Sequence, residues 1–421
     1  MCSVTIIIPM YNSEKTIERC LNSCVEQTLK DIEVICINDG STDGTLNVLK
    51  KYKSKYNNIR VINQKNRGTG YSRNQGIKAA QGKYVCFMDS DDCYPEITAI
   101  EKMIFYANEN HALICGGSAR FIRNGRIMGR DNHIQRKQAY FKENGMMEYK
   151  KYQCLVGFCR FIYQREMLLN NNIFFPETTE YEDPVFFVKA MICAKKFYAM
   201  TDDTYCVTIG QHMREYNTDT KVLEALYGIN EVLRLAVSNN LIQLHNNLLY
   251  DIYEIKYNIL MYAKESTNCE IKNLFNKFLK SVELEWLPLK SDIGNCFTEV
   301  GILSKIEEGK RELKSLNDTV KESQEIWIYG AGVVAEKLID YIENNLKRHT
   351  IKKILVSCAE ENPKFIKDIR VEQISDDVIK TKSLILISVM GQAGRNIKYD
   401  LEQKGASKVY WCDFSMIRMW I

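Results

Sequence analysis

Tyr84-Val-Cys-Phe-Met88, running into Asp89-Ser90-Asp91-Asp92, is the stretch on which the reading of this 421-residue chain turns. A short apolar run of this kind reads as a buried strand. Carboxylates one residue apart at its carboxyl end stand where open parallel sheets bind ligands, and two of them can share a hard divalent cation. The pattern points to chemistry on a diphosphate.

Upstream of that strand the sequence alternates strand and helix. Val4 to Ile8 is a continuous β-branched run, and Tyr11-Asn12-Ser13 caps a helix whose Ile17, Cys20, Leu21, Cys24 and Val25 share one face. A second strand, Glu33 to Asn38, enters Asp39-Gly40-Ser41-Thr42-Asp43-Gly44, a tight turn opening a helix with Leu46 and Leu49. A third, Ile59 to Asn63, precedes Asn66-Arg67-Gly68-Thr69-Gly70 and a helix from Tyr71 to Ala80. Such alternation predicts a parallel sheet, with every polar cluster at the same carboxyl-end edge and one cleft gathering them. Singly, each cluster has an ordinary reading as a turn, a cap or a solvated loop, and Arg73 and Asn74 read as surface residues of a helix. Their joint occurrence in this order argues for a site.

Composition permits an enzyme without naming one. With 45% hydrophobic and 26% charged residues the chain is an ordinary globular protein, large enough for two or three cores. The net charge of +4, from 57 basic and 53 acidic residues, is too balanced for a nucleic-acid footprint. Fifteen cysteines would suggest disulfides in a secreted chain, but no leader pattern precedes the first strand and no Cys-x-x-Cys pair suggests zinc. Cys20, Cys24, Cys36 and Cys86 fall at apolar positions, where a reduced thiol acts as a small hydrophobe. No run is long enough to span a bilayer. The expectation is a cytoplasmic protein, with membrane contact at most peripheral, at the inner face. Oligomeric state is not legible.

Four stretches, Ser3-Val-Thr-Ile-Ile-Ile-Pro-Met-Tyr-Asn12, Asn38-Asp-Gly-Ser-Thr-Asp-Gly44, Asn66-Arg-Gly-Thr-Gly-Tyr-Ser-Arg-Asn-Gln-Gly-Ile77 and Phe87-Met-Asp-Ser-Asp-Asp92, resemble in register the family 2 glycosyltransferases of the GT-A fold. The resemblance covers roughly residues 1–215 and implies inverting, metal-dependent transfer of a sugar from a nucleotide-sugar, most often a UDP-sugar, to an acceptor hydroxyl. The acceptor would be a saccharide or lipid-linked glycan in bacterial surface-polymer synthesis. The implied donor pocket comprises Pro9, Tyr11, Asn12, Glu14, Asp39, Arg73, Asp89, Ser90 and Asp91. In it the Tyr11 ring stacks on the base, the Pro9 carbonyl and Asp39 accept from uracil or ribose, Ser90 and Asp89 touch the ribose, and Arg73 pairs with phosphate. Asp91, helped by Asp89, would hold Mn2+ or Mg2+ against the diphosphate. Within Thr179-Glu-Tyr-Glu-Asp-Pro-Val-Phe-Phe187 the resemblance assigns the base to Asp183. The same Glu182-Asp183-Pro184 also suits a helix amino terminus, and both readings hold together. In Tyr205-Cys-Val-Thr-Ile-Gly-Gln-His212, Thr208 stands about where the family usually carries an arginine. His212 is either a third metal ligand or diphosphate partner, or a plain surface residue.

Residues 216–320 read as a helical region, with Val222, Leu226, Ile229, Leu233 and Val237 on one face and Leu248, Ile252, Ile255, Ile259 and Tyr262 on another. Residues 321–421 resemble a smaller Rossmann-like α/β domain: Glu325-Ile-Trp-Ile-Tyr-Gly-Ala-Gly332 opens a helix, and later strands are Ile354 to Ser357, Ser383 to Ser388 and Lys408 to Cys412. Ala335 takes the third glycine place, and Val356-Ser357-Cys358 lacks the ribose-binding carboxylate, Glu360 and Glu361 lying only beyond. This unit reads as binding or scaffolding. Its enzymatic alternative is an NAD-linked sugar oxidoreductase or epimerase, and a third class is a non-catalytic nucleotide-sugar-binding protein. Phe414-Ser-Met-Ile-Arg-Met-Trp-Ile421 is expected to pack on the last sheet.

Overall fold

A computed structural model describes residues 2–123, 126–128, 138–209, 216–287, 293–346, 350–358, 362–375, 383–389 and 391–411. The chain forms two compact units, one of residues 1–210 and 223–249, the other of residues 211–222 and 250–421. Among the described residues no helix is long and apolar enough to cross a membrane.

The first unit is built on β1 (Val4–Met10), α1 (Ile17–Val25), β2 (Ile32–Asp39), α2 (Thr45–Lys55), β3 (Ile59–Gln64), α3 (Thr69–Ala79) and β4 (Tyr84–Phe87). β1 and β2 are buried along their whole length, as strands covered on both faces must be. Their order is β3-β2-β1-β4, all pairings parallel, with Ile7 opposite both Ile35 and Phe87. Every strand therefore delivers its carboxyl end to one edge. α1 buries Ile17, Cys20, Leu21 and Cys24 as the periodicity predicts. Cys20, Cys24, Cys36 and Cys86 are buried free thiols.

α3 departs from expectation. Arg73 and Asn74 are buried, because the helix lies directly on β1: a Cβ at Gly76 would come within 2.3 Å of Ile7 Cγ2. Asn74 holds the Phe175 backbone at both ends of its amide, accepting from the N–H at 2.9 Å and donating to the carbonyl at 2.8 Å.

Beyond β4 the sheet continues through α4 (Ala99–Glu109), β5 (Ile114–Arg123), β6 (Arg126–Ile127), β7 (Gly145–Glu148), β8 (Phe161–Gln164), α5 (Glu182–Ala194) and β9 (Lys196–Thr208). The order is β4-β8-β5-β9-β7, with β6 paired to β5. β8 is antiparallel to both β4 and β5, so the parallel arrangement read from the first strands does not extend across the whole sheet. Antiparallel neighbours need no crossover helix, and among the described residues the segment between β7 and β8 supplies the one-turn helices Tyr149–Tyr152 and Phe158–Arg160. An aromatic cluster fixes α5 to β4: Phe175 and Phe186 stack at 3.9 Å between ring centroids, and Phe87 meets their edges at 5.0 and 5.3 Å. Each such ring pair adds about 1 kcal/mol beyond area burial.

The helices expected over the middle region occur, residues 223–249 belonging to the first unit and the remainder to the second. Helix Asp219–Ser238, which carries residues of both units, buries Val222, Leu226, Ile229 and Leu233. The next expected face is interrupted by a π-turn at Ile252–Lys256 before helix Asn258–Glu265, although Leu248, Ile252 and Ile259 are all buried. Helices Cys269–Ser281 and Glu299–Lys321 follow, each capped by a side chain, Asn268 and Thr298.

The second sheet comprises β10 (Glu325–Tyr329), β11 (Thr350–Val356), β12 (Phe365–Ile366), β13 (Ile369–Gln373), β14 (Leu384–Ile387) and β15 (Val409–Trp411), in the order β12-β13-β11-β10-β14-β15. Apart from the β12-β13 hairpin its pairings are parallel. Ile326 and Ile328 enter one core, and Trp327 and Tyr329 another on the opposite face. The hairpin escaped the sequence reading because its turn is Lys367-Asp368, both in the left-handed region at φ 46° and 64°, where Asn-Gly is the usual signature. Glu360, Glu361 and the 414–421 tail lie outside the described residues.

Candidate active site

The acid loop grows directly out of β4. Met88 N–H donates to Ile7 O at 3.0 Å, the last rung of the ladder, and Asp92 N–H turns back onto Asp89 O at 3.0 Å. Asp92 points inward, where Tyr205 OH donates to it at 2.8 Å and Thr208 N–H at 2.6 Å. The same tyrosine oxygen accepts from Asp89 N–H at 3.0 Å. Burial first, and then the charge of Asp89, push the Asp92 carboxyl up to about 8. Asp92 thus anchors the loop to β9, while Asp89 and Asp91 stay toward the surface.

Asp91 reaches the surface, yet the protein crowded around it and, second, the charge of Asp89 raise its carboxyl above the usual range. A carboxylate whose ionisation is opposed in this way, with a second carboxylate beside it, forms a donor set a hard cation would stabilise. Among the described residues, no group of three or more His, Cys, Asp or Glu is arranged to hold a metal alone. An ion here would need further oxygens from its ligand and from water. His212 lies outside the described residues.

Arg73, expected at phosphate, is placed otherwise. Its side chain is only 4% exposed and sits between Asp89, at 2.8 Å, and Glu182, 3% exposed, at 3.1 Å. Burial alone would lower its pKa, but the two carboxylates outweigh that and raise it. The charge is committed inside the protein, where it joins the acid loop to the first turn of α5. Glu182 and Asp183 are therefore separated by role. Tyr181, in the left-handed region at φ 59°, opens the helix; Glu182 turns inward to Arg73 and Asp183 stays half-buried. Among the described residues no side-chain hydrogen bond or ion pair engages the Asp183 carboxylate.

On the donor side Tyr11 is 53% exposed, its ring open for stacking. Ser13 Oγ lies 2.7 Å from Ser90 Oγ, joining the loop after β1 to the acid loop. Asn12, Glu14 and Asp39, expected to face the donor, also fasten loops together. Asn12, at φ 51°, accepts from Thr42 N–H at 2.8 Å and donates its own N–H to Ser41 Oγ at 3.0 Å. Glu14 accepts from Gly44 N–H at 3.0 Å. Buried Asp39 accepts from the N–H groups of Arg67 and Gly68, at 2.9 and 2.8 Å, and from Gln64 Nε2 at 2.8 Å. These carboxylates satisfy backbone donors of neighbouring loops that would otherwise be orphaned. Pro9 is buried in β1 opposite Ile37.

Tyr205, Ser13 and Arg19 enter this neighbourhood unforeseen. Tyr205 lies 116 residues beyond its partner Asp89, and only the sheet order brings them together. Arg19 sits in the first turn of α1, on the helix face that periodicity assigns to solvent.

A family model, "Glycosyl transferase family 2", matches residues 5–168. EpsH of Bacillus subtilis, to which a glycosyltransferase activity is ascribed, is 30% identical over 287 residues, spanning 65% of this chain and 80% of EpsH. The chain belongs to glycosyltransferase family 2. It is also 35% identical to the poly(ribitol-phosphate) beta-glucosyltransferase of Bacillus spizizenii over 221 residues, half of this chain but only 33% of that larger protein. In fold it resembles residues 1–349 of Staphylococcus aureus TarS, solved in complex with UDP: TM-score 0.56, 23% identity, 74% of this chain and 91% of that one. The family match covers β1 to β8 and ends before α5, so it takes in the acid loop and leaves Asp183 outside it.

Proposed function

We propose that the protein transfers a sugar, with inversion, from a UDP-sugar to a hydroxyl of a bacterial surface glycan or polyol-phosphate polymer. The observation that carries this reading is the Asp89-Arg73-Glu182 chain, which locks a surface-facing acid pair to the helix that presents Asp183. UDP in the TarS complex and the polyol-phosphate polymer named for the Bacillus spizizenii relative support the donor and acceptor classes.

In this reading Tyr11 stacks on uracil and Ser90 meets the ribose. Asp91 and Asp89 would hold Mn2+ or Mg2+, which when bound supplies positive charge at the departing diphosphate. Asp183 takes the proton from the acceptor hydroxyl as it attacks the anomeric carbon opposite the leaving group. Arg73 keeps Asp89 and α5 in place and does not touch the donor.

The test is UDP release from a panel of UDP-sugars, with Mn2+ and with saccharide or polyol-phosphate acceptors. Asp183→Asn should keep donor binding while transfer falls by roughly 10² to 10⁴. Asp91→Asn should remove the gain that added metal gives. Wild-type protein that neither binds nor turns over any UDP-sugar would sink the proposal.

A further inference from the structure

The acid loop sets Asp89 and Asp91 one residue apart and toward the surface, so a ligand carrying its own negative charge needs positive charge on the protein side as well. Several nearby guanidiniums are already neutralised. Arg73 faces Asp89 and Glu182, Arg67 faces Glu177, and Arg120 faces Asp203 and Glu96. Arg19 is held differently. It is exposed, and its Nη2 donates to two uncharged oxygens, the backbone carbonyl of Asp91 and, at 2.6 Å, Thr208 Oγ1. No carboxylate is paired with it among the described residues. A guanidinium has five N–H donors. Anchoring through one nitrogen leaves the other donors available at the rim of the acid loop. The anchors are stiff: one is the backbone of Asp91 itself, the other the end of β9, whose Thr208 N–H is tied to Asp92.

We infer that Arg19 is a donor-binding residue that pairs with the diphosphate of the nucleotide-sugar and holds part of the leaving-group charge. The inference rests on the UDP-sugar reading above. A cation fixed before the ligand arrives binds with little reorganisation, and charge-assisted bonds from guanidinium to phosphate are among the strong ones. The unfavourable field of Asp89 and Asp91 is then offset from two directions, by the metal and by α1.

UDP binding by the full chain in the presence of Mn2+, followed by calorimetry, separates this role from a mere tie between loops. Arg19→Ala should weaken UDP binding roughly tenfold to a hundredfold. Arg19→Lys should recover most of the loss and steepen the salt dependence again. Arg19→Gln, which can still donate to Asp91 O and Thr208 but carries no charge, should not. Wild-type affinity in the alanine variant overturns the assignment, and so does full recovery by glutamine, which would make the residue a neutral tie. Absence of UDP binding by the wild type is seen before any variant is made and brings down the donor reading together with this one.

Discussion

The β3-β2-β1-β4 half of the first sheet and the β13-β11-β10-β14 half of the second follow the same plan: the earliest strand stands third, its successors step outward to one side, and the fourth strand returns to the other. In both, the cleft beyond the first and fourth strands is where a ligand would lie. Their furnishings differ. β4 leads into Asp89 and Asp91, whereas β14 leads into Ser388, whose hydroxyl donates to Tyr329 O at 3.0 Å. Tyr329 OH in turn lies 2.6 Å from Ser357 Oγ. At these points of the second edge, neutral groups satisfy each other; at the first, a buried arginine ties Asp89 to the inward-turned Glu182, and Asp89 and Asp91 stay toward the surface. Topology fixes where the edge is, and the loops decide what chemistry it carries.

The sharpest way to break this contrast is to remove the buried arginine. Arg73→Met leaves Asp89 and Glu182 without their cation, and deleting one partner of a buried ion pair typically costs about 3–5 kcal/mol. Urea unfolding should show that loss in the transition that includes the first sheet and leave the second sheet's transition in place. An unchanged first transition would mean that the triad is a surface feature, and the distinction between the two edges would lose its structural basis.

An effect of comparable size, spread over a pH range, is expected from Asp92. Its carboxyl titrates near 8 in the folded protein against about 4 in an unfolded chain. Between those values the folded state holds a proton that the unfolded state has lost, so stability falls as pH rises from about 4 to 8. Asp92→Asn removes that titration and should flatten the slope when metal-free protein is denatured at a series of pH values. A slope as steep as wild type would show that Asp92 ionises normally and that the loop is anchored some other way.

How far the sequence could be read follows from the same contrast. The four parallel strands, their helices and the acid loop were legible because β-branched runs, capping residues and clustered carboxylates are local signals. The destinations of Arg73, Asp39 and Glu14 were not. Whether a guanidinium meets a phosphate or Glu182, 109 residues away, depends on how closely α3 lies on β1, and that closeness is set by Gly76, which in sequence is only a helix-weakening glycine. Arg19 was missed for a related reason: its partners, Asp91 and Thr208, are 72 and 189 residues distant. β8 was missed because a four-residue strand reversing direction inside a parallel pattern leaves no periodic trace.

The smallest predicted effects belong to the glycines of the second edge, and they separate framework from ligand contact. Gly330 has φ +112°, and a Cβ there would lie 2.6 Å from Ser388 Oγ, so Gly330→Ala should cost about 1–3 kcal/mol through strain alone. Gly332 has φ −105° and open space around the position of a Cβ. Gly332→Ala should therefore leave thermal stability within about 0.5 kcal/mol of wild type, as a substitution that meets nothing does. Sugar transfer should stay within about twofold, because in the proposed mechanism no group of the second sheet touches the donor. A dinucleotide held at this edge would bring its pyrophosphate against the glycine loop, and the added methyl would then weaken binding of NAD. Calorimetry of NAD with the wild type and with Gly332→Ala decides the point: tight binding lost on adding one methyl would give the second edge a chemistry of its own and end the contrast drawn between the two sheets.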